Sequence, residues 1–336
     1  MTNRLSCPRN EINLLNIPQS YVWKAYYQAK LTKKIAVGID GKTLRDFQSD
    51  LNSNICRLWR NLSSGNYQPP LYRRVTILKN GKSRVLGNPT VSDYLAQLAV
   101  RLYLREKLKS VFHRGLFIGE EHNYSKVVKI AVASVHRHCQ MRDWVLRLDI
   151  KDFSNSINQQ LLLQMTSRHV NSKWMILLNR WLNNPQIDHK GVRYHHTKGV
   201  LAGPSIHHLL TDLYLHHAFD DWMKINFAHI PFERYGDDMV CHCLSKMQAE
   251  KLFSQTRKRL SKYHLMVNSD KSKIVYCKDG KRRGNYIHTT FDYLKYRFEA
   301  RRVTTRKGTK KLIFSPGRSS GTKRRRKKGS SAKRRK

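Results

Sequence analysis

Apolar residues recur at spacings of three and four through 43–62, where Leu44, Phe47, Leu51, Ile55, Leu58 and Trp59 share one face, and this spacing predicts an amphipathic helix. The aromatic-rich stretch 20–31 reads as a helix, as do 89–112 (with Leu95, Leu98, Ala99, Leu102 and Leu108 in register), 127–136, the residues from Gln159 onward, and 249–263. Between them lie short β-like runs. Asn80-Gly81 separates Arg74–Leu78 from Ser83–Leu86, a hairpin signal. The run 144–149 (WVLRLD) reads as a mostly buried strand, 232–243 as a second hairpin centred on Gly236-Asp237-Asp238, and 273–277 as a further strand. A last strand pair begins near Phe291. Helices interspersed with hairpins, rather than strictly alternating β and α, predict an α+β fold.

Charge adds what the pattern does not contain. The 336 residues carry 65 Lys and Arg against 23 Asp and Glu, a net +42. Seventeen of the basic residues and no acid fall in 301–336, so the first 300 residues still carry +25. Such an excess disfavours a compact state unless a polyanion neutralises it, which makes a nucleic acid the expected partner. No long apolar run predicts a membrane span or a secretory leader. The six scattered cysteines predict no disulfide scaffold, and a reducing compartment, bacterial cytoplasm or organelle, is expected. Residues 301–336 read as a basic, disordered tail.

In so basic a chain, acids inside apolar runs need a reason. Asp149 ends the WVLRLD strand and Asp237-Asp238 sit at a hairpin tip. Carboxylates gathered from separate strands repel unless a cation lies between them, and oxygen donors suit Mg²⁺ or Mn²⁺. Two such ions can align an attacking hydroxyl and a departing pyrophosphate. The plainer alternative pairs these acids with the neighbouring Arg147 and Arg234. Cys241-His242-Cys243 with Cys277 lacks the usual ligand spacing for zinc, and the histidine pairs at 195–196, 207–208 and 216–217 read as surface residues.

The ordered series of motifs resembles a reverse transcriptase of the group II intron and retron-like branch, over about residues 17–298. Asp149-Ile150-Lys151-Asp152-Phe153 resembles the first catalytic motif and Arg234-Tyr235-Gly236-Asp237-Asp238 the central one, where the family usually has alanine at the position of Gly236. Residues 198–215 resemble the helix motif beneath template and primer, 265–277 the fourth motif, and Phe291-Asp292-Tyr293-Leu294 the primer-grip hairpin. The resemblance implies a right-hand polymerase fold, with fingers over 1–138, a palm over 139–300 and a truncated thumb. It further implies that Asp149, Asp237 and Asp238 are catalytic and that two Mg²⁺ (or Mn²⁺) ions are held by Asp149, the Ile150 carbonyl, Asp237 and Asp238. Lys79, Arg84, Phe153, Ser154, Gly203 and Lys271 would contact the incoming nucleotide, Lys271 as proton donor to pyrophosphate. The implied partners are an RNA template, a DNA or RNA primer, dNTPs and intron RNA, with no membrane.

The chain also departs from the family pattern. Ser154 stands where a second aromatic usually blocks the ribose 2′-hydroxyl, which implies relaxed sugar selection. Leu201-Ala202-Gly203 and His207-His208 replace Pro-Gln-Gly and Ser-Pro, Ile118-Gly119-Glu120-Glu121 replaces an arginine-containing segment, and Lys295 takes the place of a glycine. Two readings follow: an RNA-directed DNA polymerase extending a primer 3′ end, or a catalytically degenerate RNA-binding remnant or intron-splicing accessory of the same fold.

Overall fold

The computed structural model describes residues 14–32, 35–79, 81–117, 124–304 and 308–318. In chain order the elements begin with α1 (Gln19–Leu31), α2 (Leu44–Gln48), α3 (Leu51–Ser63), the hairpin β1 (Tyr72–Lys79) and β2 (Lys82–Asn88), and α4 (Val91–Lys107). Then come α5 (Tyr124–Met141), β3 (Trp144–Leu148), α6 (Phe153–Ser156), α7 (Gln159–Thr166), α8 (Ser172–Leu182), β4 (Gln186–Ile187), β5 (Arg193–Tyr194) and α9 (Ile206–Leu215). A π-helical turn (His216–Asp220) leads into α10 (Asp221–Asn226), β6 (Phe232–Tyr235), β7 (Asp238–Cys243), α11 (Lys246–Ser261), β8 (Lys273–Tyr276), β9 (Phe291–Tyr293), β10 (Tyr296–Thr304) and β11 (Lys310–Arg318). The α+β reading holds. The single helix expected over 43–62 is instead two. Thr43 and Asp46 close a reciprocal capping box on α2, and Asp50, with φ −129° and ψ 63°, breaks the helix before α3.

The described residues fall into two compact units, one drawn from 1–112 and 152–217, the other from 113–151 and 218–336. A boundary at 138/139 therefore coincides with neither. Helix α5, expected in the first unit, buries Val128, Ala131, Val132, Val135 and Cys139 with Val145, Val240 and Val275 of the second unit's sheet. Apolar contact, rather than sequence order, decides its allegiance.

The first unit packs α1, α3 and α4 together and carries the sheet β2-β1-β4-β5. Its buried polar node is Asp93. This carboxylate accepts from Tyr67 Oη at 3.0 Å, Trp181 Nε1 at 2.8 Å and Gln97 Nε2 at 2.9 Å, and burial still pushes it up to about 6. His207 is also buried here, its Nδ1 2.8 Å from the Leu201 carbonyl, and burial lowers it to about 4, which corrects the surface reading of that histidine. His216 is buried as well.

The second unit is built on the antiparallel sheet β6-β7-β3-β8, with β3 central. Side chains alternate across each strand. Val145, Val240 and Val275 face α5, while Leu146, Met239 and Cys241 point to the opposite face, where α11 contacts β3, β7 and β8. A second sheet, β11-β10-β9, adds Phe291, Phe298 and Phe314 to the α5 core. The disordered-tail reading fails over 301–304 and 308–318. Leu312, Ile313 and Phe314 interrupt the basic residues, β11 pairs with β10 along nine residues, and Gln140 Nε2 donates to the Phe314 carbonyl at 2.6 Å. The basic run 319–336 lies outside the described residues. Cys139, Cys241, Cys243 and Cys277 are free and buried. Among the described residues, no helix is long and apolar enough to cross a membrane.

Candidate active site

The β3–β7 register places Leu148 opposite Met239, so Asp149 emerges one step beyond the ladder, beside the turn joining β6 to β7. That turn is two residues long, since Tyr235 pairs with Asp238 and only Gly236 and Asp237 connect them. Gly236 has φ +60°, a conformation that suits glycine better than a residue carrying a Cβ. Beneath the turn lies Arg234, fully buried. Its Nε and Nη2 donate to Asp220 Oδ1 and Oδ2 at 2.8 and 2.5 Å, and its Nη1 donates to the Gly236 carbonyl at 3.2 Å. The guanidinium thus ties the turn to the π-helical segment that supplies Asp220.

Asp149 is held from the other side by the loop after α11. Its N–H donates to Ser272 Oγ at 3.0 Å, and its carbonyl accepts from Asn268 N at 2.8 Å. Its Oδ2 accepts from Asn268 Nδ2 at 3.1 Å and lies 3.3 Å from the Lys271 ammonium. Ile150 bridges Val267 through bonds that use the carbonyls of Asp149 and Met266, so these bonds leave the Ile150 carbonyl unused.

Burial raises Asp237, and the charge of Asp149 adds to the rise. Burial pushes Asp238 up to about 6 against the opposing charge of Arg147, whose Nη2 lies 2.8 Å from Asp238 Oδ1, and Asp237 raises it further. Arg147 Nε also donates to the Asp292 carbonyl at 3.0 Å, linking β3 to β9. The pairing of an acid with Arg147 is thus present, for Asp238; Arg234 serves Asp220 instead. Asp149 and Asp237, mutually repelling and oxygen-only, fit a hard divalent cation, with the Ile150 carbonyl as a further donor. Among the described residues the three carboxylates do not close into one set with ligand atoms within 4.8 Å of one another, and Asp238 is engaged by Arg147.

Phe153, Ser154, Gly203, Lys79 and Arg84 belong to the other compact unit. Phe153 is buried and Ser154 exposed, its carbonyl accepting from Val200 N at 2.7 Å. Gly203 has φ +122°, and a Cβ there would meet the Gly87 carbonyl oxygen at 2.3 Å, so this position needs glycine for a close backbone approach. Arg84 is exposed and pairs across the hairpin with Ile77, while Lys79 ends β1 with its side chain outside the described structure. Residues 118–121 lie outside the described residues.

Asp220 carries no site signal in the sequence because its partner is distant and its residue type ordinary, while Asn268 and Ser272, within the stretch that resembles the fourth motif, gain a role only once the fold sets them against Asp149. Alternation along β7 explains another miss. Cys241 and Cys243 face one side, and His242 faces the other, toward Glu233 and His138.

A family model described as "Reverse transcriptase (RNA-dependent DNA polymerase)" matches residues 77–298. The protein YkfC of Escherichia coli K12 is 28% identical over 282 residues, covering 72% of this chain and 73% of YkfC. The group II intron-encoded protein LtrA of Lactococcus lactis subsp. cremoris is 25% identical over 258 residues, covering 70% of this chain but only 42% of LtrA. Among solved structures, apo telomerase from Candida tropicalis matches with a TM-score of 0.54 at 13% identity, over 70% of this chain and 48% of its own. Telomerase from Candida albicans, in complex with a fragment of telomeric RNA, matches at 0.53 and 13% identity, over 83% of this chain and 50% of its own. The chain thus spans about half of these telomerase chains, whose likeness concerns the fold.

Proposed function

The chain belongs to the reverse transcriptase family, and from that premise we propose that it is an RNA-directed DNA polymerase that extends a primer 3′ end. The observation that carries this reading is the meeting of Asp149 with the Gly236-Asp237-Asp238 turn at one end of the sheet, each held from beneath by its own polar network. The unit holding these acids serves as the palm, and the β1–β2 hairpin of the other unit as part of the fingers. Asp149, the Ile150 carbonyl and Asp237 would hold divalent ions, which when bound supply charge neutralisation at the attacking hydroxyl and the triphosphate.

The protein's own groups do the positioning. Asn268 and Ser272 fix the Asp149 carboxylate and backbone, and Arg234 fixes the carbonyl of Gly236 directly before Asp237. Lys271 stands 3.3 Å from Asp149 with most of its side chain in solvent, so it can swing to a departing pyrophosphate and deliver a proton. Arg84, exposed on β2, supplies a cation for the triphosphate. The positive excess of the chain would hold template and primer by phosphate neutralisation. Ser154 leaves the ribose 2′-hydroxyl unopposed.

One observation favours the second reading, an RNA-binding protein of the same fold without turnover: Arg147 occupies Asp238, and among the described residues the three carboxylates do not form one closed set. Primer extension on an RNA template with dNTPs and Mg²⁺ or Mn²⁺ separates the two. Extension that Asp237→Ala abolishes supports the polymerase, whereas tight RNA binding with no extension by the wild type leaves the second reading.

A further inference from the structure

On the α5 face of the palm sheet, one carboxylate lies between two imidazoles. Glu233 of β6 sets Oε1 2.6 Å from His138 Nδ1 on α5 and Oε2 2.6 Å from His242 Nε2 on β7. All of these potential ligand atoms lie within 4.8 Å of one another. Glu233 and His242 are almost wholly buried, and His138 keeps 17% of its side chain exposed. His242 is four residues along β7 from Asp238, about 13 Å at a strand's rise, so the cluster is separate from the aspartates.

We propose that His138, Glu233 and His242 form a binding site for a borderline transition-metal ion of the Zn²⁺ class. Two imidazole nitrogens and one carboxylate are the donor set of open zinc sites, and this mixture discriminates against Mg²⁺. The surroundings supply the other requirements of such a site. Ser134, one turn before His138 on α5, donates Oγ–H to Glu233 Oε1 at 2.7 Å and orients the carboxylate. His242 Nδ1 faces Cys139 Sγ at 4.0 Å. A cavity of about 340 Å³, walled in part by Ser134, His138, Phe227, Phe232 and Glu233, gives an entry path and room for a water as fourth ligand. Glu233 is the one acid in a wall that also carries Arg114, Arg137 and Lys224, so it supplies the negative charge that the ion would meet there.

In the metal-free protein each imidazole donates an N–H to the ionised Glu233. Binding moves each of those protons to the ring's other nitrogen, which for His242 is the one facing Cys139, so both lone pairs turn to the ion with no net proton change. The ion would then pin α5 to the hairpin that carries Asp237 and Asp238.

The test uses the full chain, stripped with chelator, reloaded with Zn²⁺ or Co²⁺ and gel-filtered. One ion per chain is expected, with ligand-field absorption from Co²⁺. His138→Asn and Glu233→Gln should each reduce the retained ion at least tenfold, while His138→Asn keeps its Mg²⁺-dependent extension rate. Should Glu233→Gln fail to fold, His138→Asn decides, because its ring is partly exposed. A wild type that retains no ion means a hydrogen-bonded triad only and overturns the proposal. Unchanged retention in His138→Asn places the ion on other histidines and overturns it equally.

Discussion

Replacing Asp220 by alanine removes the counter-charge of a guanidinium that has no exposure to water. Arg234 and Asp220 side chains are 0% and 1% exposed, and two charge-assisted hydrogen bonds, at 2.8 and 2.5 Å, join them. Each such bond contributes about 1.5–3 kcal/mol, and breaking a buried pair by deleting one partner costs about 3–5 kcal/mol, because the remaining charge stays in a low dielectric. Asp220→Ala should therefore lower the stability of the second unit by about 3–5 kcal/mol. Urea unfolding followed by tryptophan fluorescence reads this, with Trp144 and Trp222 as reporters in the affected unit. Arg234→Met removes charge from both sides when combined with Asp220→Ala, so the double variant should be more stable than Asp220→Ala alone, with a coupling energy of about 2 kcal/mol or more. Extension by the folded fraction of Arg234→Met should also fall, since the Gly236 carbonyl loses its donor while the metal ligands remain. Two single variants that each cost under about 1 kcal/mol and combine additively would refute the argument.

Extension rate should fall as pH drops, because burial and the charge of Asp149 raise Asp237 and a protonated Asp237 binds cations poorly, while Asp238, raised by burial to about 6, loses its charge pairing with Arg147; a rate flat from pH 8 to 5 contradicts this. Gly203→Ala should destabilise the other unit by about 2 kcal/mol, since the new Cβ meets the Gly87 oxygen and φ +122° is strained for alanine, as thermal unfolding would record. Lys295, at φ +69° in the β9–β10 turn, holds a left-handed conformation costing about 1–2 kcal/mol, so Lys295→Gly should raise stability by about 0.5–1 kcal/mol after the added unfolded-state entropy. Burial pushes Glu233 up, but hydrogen bonds from His138 and His242, the charge of His242 and the Ser134 bond outweigh it and bring the carboxyl from 4.5 to about 2. Its stabilisation is complete above pH 4.5 and lost as pH falls through about 2, so wild type should lose more stability in acid titration than Glu233→Gln does.

Much of the β6-β7-β3-β8 sheet could be read from the chain because its signals are local. WVLRLD is apolar enough to be a buried strand, and a strand–turn–strand around Gly236-Asp237 requires only neighbours to form. What escaped was settled by distant partners. The π-helical turn that delivers Asp220 to Arg234 has no periodicity of its own, and His138, Glu233 and His242 become a cluster only once α5 lies over the β6–β7 hairpin. Strand β11 was hidden by composition: three consecutive apolar residues among lysines and arginines carry no alternation, yet pairing with β10 buries Phe314 completely. Discontinuous units are beyond any linear reading, because α5 and the residues after β3 sort by the surfaces they bury.

The central position of β3 has a consequence during synthesis. Both of its hydrogen-bonding partners are made later: β7 begins at Asp238 and β8 at Lys273. Roughly ninety residues leave the ribosome between the end of β3 and the start of β7, which at ~5–20 residues per second is ~5–18 s. For that interval the nascent chain carries a sticky ribbon, WVLRL, with two open edges. Arg147 and the closely following Lys151 and Asp152 act as gatekeepers against self-pairing, and a nascent chain that emptied this stretch of charge would aggregate before its partners arrived.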